Sequence, residues 1–218
     1  MTNPAAPPPH GGQPVTALGR PLGEARVALI MIHGRDAAPA NMLDLVPALE
    51  RADVAYLAPA AAGRTWYPLS FMAPIERNEP GITSGIAVVH ALIAQATAGG
   101  VPTDRIVLLG FSQGACLTVT AAQRRPARYG GVIVYSGGLI GAPGTVWDEA
   151  GSFGGTPVFL GCSDPDAHVP AERVRASAAV LARMGAAVTT RIYPGMGHLV
   201  HEDELAFTRE LLATVAAA

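Results

Sequence analysis

Short apolar runs alternate with segments of helical spacing along most of this chain. That alternation constrains its fold more than any other feature. Residues 25–32 (ARVALIMI) form a nearly continuous apolar run that ends at His33-Gly34. Such a run reads as a strand buried on both faces, the pattern of a parallel sheet covered by helices. Residues 39–50 then place Met42, Leu45, Val46 and Leu49 on one helical face, with Pro39 in the first turn. The rhythm repeats with strands expected at 54–57, 106–109, 132–135, 157–160 and 188–193. Helices are expected at 82–98, 113–124, 171–184 and 202–216, the first of them carrying Ile82, Ile86, Val89 and Ile93 on one face. Parallel strands joined by helical crossovers make an α/β fold, a three-layer α/β/α sandwich with a mostly parallel sheet.

The 218 residues are half hydrophobic, enough for one sizeable core and one domain. Residues 1–20 are rich in Pro, Gly and Ala and read as a flexible arm, His10 included, leaving 21–218 as the single domain. The start lacks the basic and apolar regions of a secretory signal. No uninterrupted apolar stretch reaches the ~18 residues of a membrane span. A cytoplasmic protein without stable membrane insertion is expected. Its two cysteines, Cys116 and Cys162, sit beside apolar runs and read as buried thiols in a reducing compartment. The net charge of −2 leaves no basic face for nucleic acid. The fifteen basic residues are all Arg, which excludes a lysine Schiff base and a P-loop lysine.

In open α/β sheets, chemistry gathers beyond the carboxyl ends of the strands. Here those ends carry His33-Gly34-Arg35, Ser112, Ser136-Gly137-Gly138, residues 161–170 and residues 195–198. Gly110-Phe111-Ser112-Gln113-Gly114 has the form G-x-S-x-G between a strand and a helix, as a nucleophile elbow requires. Glycines two before and two after let backbone approach a sharply turned serine without a clashing Cβ. By itself the motif also fits a helix N-cap serine.

A serine hydroxyl near neutral pH needs a base. His198, in a glycine-rich loop after a strand, is the candidate. His201 is the rival but reads as the start of the closing helix, and His90 as a structural residue within its own helix. Asp164 and Asp166 both stand at a strand end and can orient the imidazole. The order Ser, Asp, His is that of α/β-hydrolases. A metal reading of Asp164, Asp166, His168, His198 and His201 has ligand-like spacing, but leaves Ser112 without a role. No metal and no cofactor are expected.

With these pieces in place, the chain resembles the phospholipase/carboxylesterase family of α/β-hydrolases, which includes acyl-protein thioesterases. The matching motifs are His33-Gly34-Arg35, Gly110 to Ala115, Asp166-Ala167-His168-Val169-Pro170 and Gly195-Met196-Gly197-His198. The family pattern D-x-x-V-P implies Asp166 as the acid of a Ser112–His198–Asp166 triad, with Asp164 stabilising the loop. It also implies an oxyanion hole from the backbone N–H groups of Gln113 and Arg35. The Arg side chain departs from the family, where that position is usually small or apolar. The stretch with Trp66, Tyr67, Phe71 and Met72 resembles a subgroup of small bacterial carboxylesterases and implies a substrate-pocket wall; the alternative is that these aromatics pack on the core, and the two readings are compatible. There is no long lid and no four-glycine oxyanion motif.

The resemblance therefore implies a serine carboxylesterase that hydrolyses small esters with short to medium acyl chains. The alternatives are acyl-protein thioesterase or lysophospholipase activity, or a non-catalytic binding protein on the same fold. A small-molecule ester is the expected partner, and a homodimer is plausible from the apolar composition.

Overall fold

The computed structural model describes residues 6–49 and 51–218. Among the described residues, seven strands form one sheet: β1 (Val15–Gly19), β2 (Val27–Ile32), β3 (Val54–Pro59), β4 (Ile106–Phe111), β5 (Gly131–Tyr135), β6 (Pro157–Ser163) and β7 (Ala187–Tyr193). Their order across the sheet is β1-β3-β2-β4-β5-β6-β7, with β1 antiparallel to β3 and every other pair parallel. The α-helices among the described residues are α1 (Pro39–Leu43), α2 (Val46–Leu49), α3 (Gly81–Ala98), α4 (Gln113–Arg124), α5 (Ala171–Arg183) and α6 (Glu202–Ala217).

The alternation of side chains along a strand divides the core into two layers. Ala28, Ile30 and Ile32 of β2 pack with α3, α4 and α5, while Val27, Leu29 and Met31 pack with α1, α2 and α6. All six β2 residues are buried, as expected for a central parallel strand. Edge strand β1 is largely open to solvent, whereas edge strand β7 is mostly half-buried. Helix α3 is long and apolar enough to cross a membrane by length and composition, but half of it is buried against the fold.

Three sequence expectations change. The single helix over 39–50 is split into α1 and α2. Pro47 lacks the N–H that would bond the carbonyl four residues back, so an unbroken helix loses a bond there, whereas the first turn of α2 tolerates the proline. Glu50 lies outside the described residues. The sheet gains β1, a strand the sequence reading placed inside a flexible arm. Residues 6–19 are ordered on the domain: β1 pairs with β3 along its whole length, Val15 enters the core and His10 is buried. Composition alone suggested mobility, but contacts with a distant strand order this segment. Residues 1–5 lie outside the described residues. Finally, β6 runs on to Ser163, so that Cys162 and Ser163 sit in the sheet.

Candidate active site

Three side chains from three strand ends meet at one edge of the sheet. Ser112 is the N-cap of α4, with φ 55° and ψ −120°. A left-handed non-glycine residue of this kind costs about 1–3 kcal/mol, so it persists only where the surroundings enforce it. Here Ser112 N–H donates to Tyr135 O at 2.9 Å, and Cys116 N–H donates to Ser112 O at 3.0 Å. The flanking glycines are required. A Cβ on Gly114 would lie 2.2 Å from Ile32 O, and one on Gly110 would lie 2.5 Å from Gly114 O. The motif spacing thus has a steric cause: β2, β4 and α4 converge where no side chain fits.

Ser112 Oγ donates to His198 Nε2 at 2.7 Å, and His198 Nδ1 donates to Asp166 Oδ2 at 2.7 Å. The other Asp166 oxygen accepts from His168 N–H at 2.8 Å and Val169 N–H at 3.0 Å. The Asp166 side chain is fully buried. Burial by itself would raise its carboxyl, but the His198 bond and the two backbone N–H bonds outweigh it and hold the group below the ordinary carboxylate range. The His198 ring packs against Phe111 at 5.1 Å and edge-on to His168 at 4.9 Å.

The end of β6 holds the His198 loop in place. Asp164 Oδ1 accepts from Gly195 N–H and Ser163 Oγ accepts from Gly197 N–H, each at 2.9 Å. Both glycines have positive φ, 68° and 76°, which lets so short a loop turn the imidazole over the sheet edge. Of the two candidate acids, Asp166 therefore meets the imidazole and Asp164 braces its loop. His201, the rival base, is the N-cap of α6, accepting Asp203 N–H at 3.1 Å and stacking on Tyr193. His90 binds Ala121 O across the α3–α4 contact. Among the described residues no group of three His, Cys, Asp or Glu side chains is arranged to hold a metal.

Gln113 provides the first N–H of α4, which has no intrahelical acceptor. Arg35 follows the β2 end, where His33 fixes the turn. His33 is buried, its Nδ1–H donates to Gly34 O at 2.7 Å and its Nε2 accepts from Ala61 N–H at 3.1 Å. Burial pushes His33 below the ordinary histidine range, against the opposing Gly34 bond, so the ring is neutral. Arg35 and Gln113 both line a cavity of about 480 Å³ that contains Ser112 and His198.

The same cavity settles where the aromatic stretch lies. Tyr67 and Phe71 line it, together with Leu69, Val169 and Cys116. Trp66 and Met72, expected on the wall, do not. Trp66 is fully buried, its indole donating to His33 O at 2.9 Å and its backbone N–H to Gln113 Oε1 at 2.9 Å. Through these bonds it supports the wall from behind. Met72 is half-buried against the core. Burial pushes the Cys116 thiol up to about 12, so it is no rival to Ser112 as nucleophile.

Two side-chain roles were missed from sequence. The Gln113 carboxamide bonds Trp66 N–H and donates to Tyr67 O at 2.7 Å, tying the elbow to the wall. The Arg35 guanidinium donates to Pro68 O at 2.8 Å and Leu69 O at 2.6 Å, pinning the wall from the other side. The only prior signal was the departure of Arg35 from a small residue.

A mostly parallel sheet with a serine elbow, a carboxylate and an imidazole at three of its strand ends defines an α/β hydrolase. The family described as Phospholipase/Carboxylesterase matches residues 23–216, and the chain belongs to that family, whose members act on ester bonds. It is similar to the crystal structure of a phospholipase/carboxylesterase from Dyadobacter fermentans, with 38% identity, a TM-score of 0.89 and coverage of 95% of this chain and 99% of that one. It is 26% identical to the probable carboxylesterase SOBER1-like of Arabidopsis thaliana, over 86% of this chain and 78% of that protein. It is also 34% identical to acyl-protein thioesterase 1 of Gibberella zeae, over 62% of this chain and 61% of that protein.

Proposed function

We propose that this chain is a serine carboxylesterase in which Ser112, His198 and Asp166 form the catalytic triad. The observation that carries the reading is the unbroken hydrogen-bonded line from Ser112 Oγ through His198 to buried Asp166, opening into an apolar-walled cavity. His198 Nε2 takes the Ser112 proton as Oγ attacks the acyl carbon. The oxyanion accepts the N–H groups of Gln113 and Arg35, each worth about 3 kcal/mol to the transition state. As the ester C–O bond breaks, His198 returns the proton to the departing alcohol. Water then gives a proton to His198 and attacks the acyl-enzyme. The acid leaves and Ser112 Oγ regains its proton.

The wall formed by Tyr67, Leu69, Phe71 and Val169 supports a small ester with a short to medium acyl chain as substrate. Similarity to an acyl-protein thioesterase favours a second reading, hydrolysis of longer acyl thioesters. The two buried free thiols support a reducing, cytoplasmic setting.

Ser112→Ala tests the central reading. Activity on a chromogenic acyl ester is expected to fall by about 10⁴-fold or more, with loss of covalent labelling by a fluorophosphonate. A variant that hydrolyses the ester at a rate near wild type sinks it. Rates across esters and thioesters of increasing acyl length then decide between the two substrate readings.

A further inference from the structure

The residues just before β1 lie outside the family match, which begins at residue 23, yet they contact Trp66, which bonds residues of the candidate site. His10 is almost fully buried, and every polar atom it offers from ring and amide is used. Its Nε2–H donates to Trp66 O at 2.8 Å, its Nδ1 accepts from Ala62 N–H at 3.1 Å, and its backbone N–H donates to Ser84 Oγ at 2.9 Å. Ser84 Oγ in turn donates to Pro7 O at 2.7 Å, fastening the segment to α3. Burial holds the His10 ring below the ordinary histidine range against the raising effect of the Trp66 bond, so one nitrogen stays free to accept.

The imidazole packs edge-on against the Trp66 indole at 5.0 Å, and the indole's other neighbour is His33, 5.1 Å away. Trp66 hands the contact on, bonding His33 O before the oxyanion turn and Gln113 Oε1 in the first turn of α4. Tyr67, the next residue, lines the cavity. A single imidazole thus ties Ala62 and Trp66 together across its two nitrogens.

We propose that His10 is a positioning residue for ester hydrolysis: it fixes Trp66, and through Trp66 the two oxyanion-bearing turns and the cavity wall. The inference rests on reading Ser112 as the nucleophile. It predicts that the segment ahead of the family's own boundary is a working part of this enzyme.

The two tryptophans make the test direct, because Trp147→Phe leaves Trp66 as the sole indole. In that background of the full-length protein, His10→Ala is expected to move Trp66 emission to longer wavelength. It is expected to lower kcat on a short acyl ester roughly tenfold with KM within about threefold, at a temperature where melts show every variant folded. His10→Gln, whose carboxamide offers one donor and one acceptor, is expected to restore both emission and kcat. His10→Asn, too short to reach both partners, replaces the alanine variant if that one does not fold. His90→Ala, which loses a comparable bond to Ala121 O remote from the site, is expected to change neither reading. The proposal is overturned if Trp66 emission stays put in His10→Ala, if it shifts while kcat remains near wild type, or if glutamine fails to restore kcat. Ser112→Ala, assayed alongside, separates the two readings: retained activity there sinks the nucleophile, whereas the emission arm reports the His10 contact alone.

Discussion

Asp166→Asn isolates what the negative charge and its lone pairs contribute, because the local hydrogen bonds dictate how an amide must sit. Oδ1 holds the His168 and Val169 N–H groups at 2.8 and 3.0 Å, and Oδ2 holds His198 Nδ1 at 2.7 Å. Asparagine satisfies the two backbone donors with its oxygen and turns its NH2 toward Nδ1. Nδ1 must then accept, the imidazole proton moves to Nε2, and Nε2 can no longer take the proton of Ser112. Turning the amide over restores the productive tautomer but sets an NH2 against two N–H donors. Each buried donor left unpaired costs about 1–3 kcal/mol, so the flip costs about 2–6 kcal/mol. At 1.36 kcal/mol per decade, roughly one molecule in 30 to one in 2.5 × 10⁴ remains productive. We expect kcat on a chromogenic short-chain ester to fall by that factor, with KM within about threefold because the cavity is untouched. A melting curve close to wild type establishes that the variant is folded. A folded variant that keeps more than roughly a third of the wild-type kcat would refute the tautomer argument.

Two further outcomes follow from groups around the site. Glu204 is buried with Oε2 on the His201 N–H at 2.7 Å, and its Oε1 has no partner among the described residues. Burial lifts its pKa from 4.5 to about 7, with the His201 bond opposing and Asp203 adding. The folded protein therefore keeps a proton that the unfolded chain releases, and stability falls as pH rises from about 4.5 to about 7. That loss is about 3 kcal/mol, and Glu204→Gln is expected to shrink the drop in Tm between about pH 5 and pH 8 by roughly 6–12 °C. An unaltered Tm profile would count against the assignment. Arg35→Leu keeps the backbone N–H but removes the clamp on Pro68 and Leu69. KM for short esters is expected to rise about fivefold with kcat within about twofold, and Tm is expected to change little because the side chain is exposed. A large loss of kcat with unchanged KM would instead place the guanidinium at the reacting centre.

Much of this site is legible in the sequence. The elbow was readable because its constraint is local. Backbone crowding around Gly110 and Gly114 writes itself into two fixed glycine positions, and the apolar run and helix on either side are also local. His198 was readable from its glycine-rich loop at a strand end. Trp66 was misassigned because an aromatic beside a pocket and an aromatic behind it have the same sequence signature. Only the bonds from its indole and amide to His33 and Gln113 tell them apart. The carboxylate was not decided by residue type, since Asp164 and Asp166 are two residues apart at one strand end. The difference lies in which of them faces the imidazole and which faces Gly195.

By itself, then, the sequence determined the layered α/β architecture, the central buried strands and the serine at the turn. Hydrophobic periodicity and glycine sterics act over a few residues and leave a direct imprint. Tertiary structure alone decided what rests on long-range pairing. Residues 6–19 look mobile by composition, yet β1 is held by β3 some forty residues away. His10 gains its partners from Ala62, Trp66 and Ser84. Arg35 becomes a clamp because the carbonyls of Pro68 and Leu69 come within its reach. A polar side chain has no intrinsic preference for a particular distant carbonyl or amide. It bonds whichever one the packed fold delivers, and burial then makes that bond costly to lose.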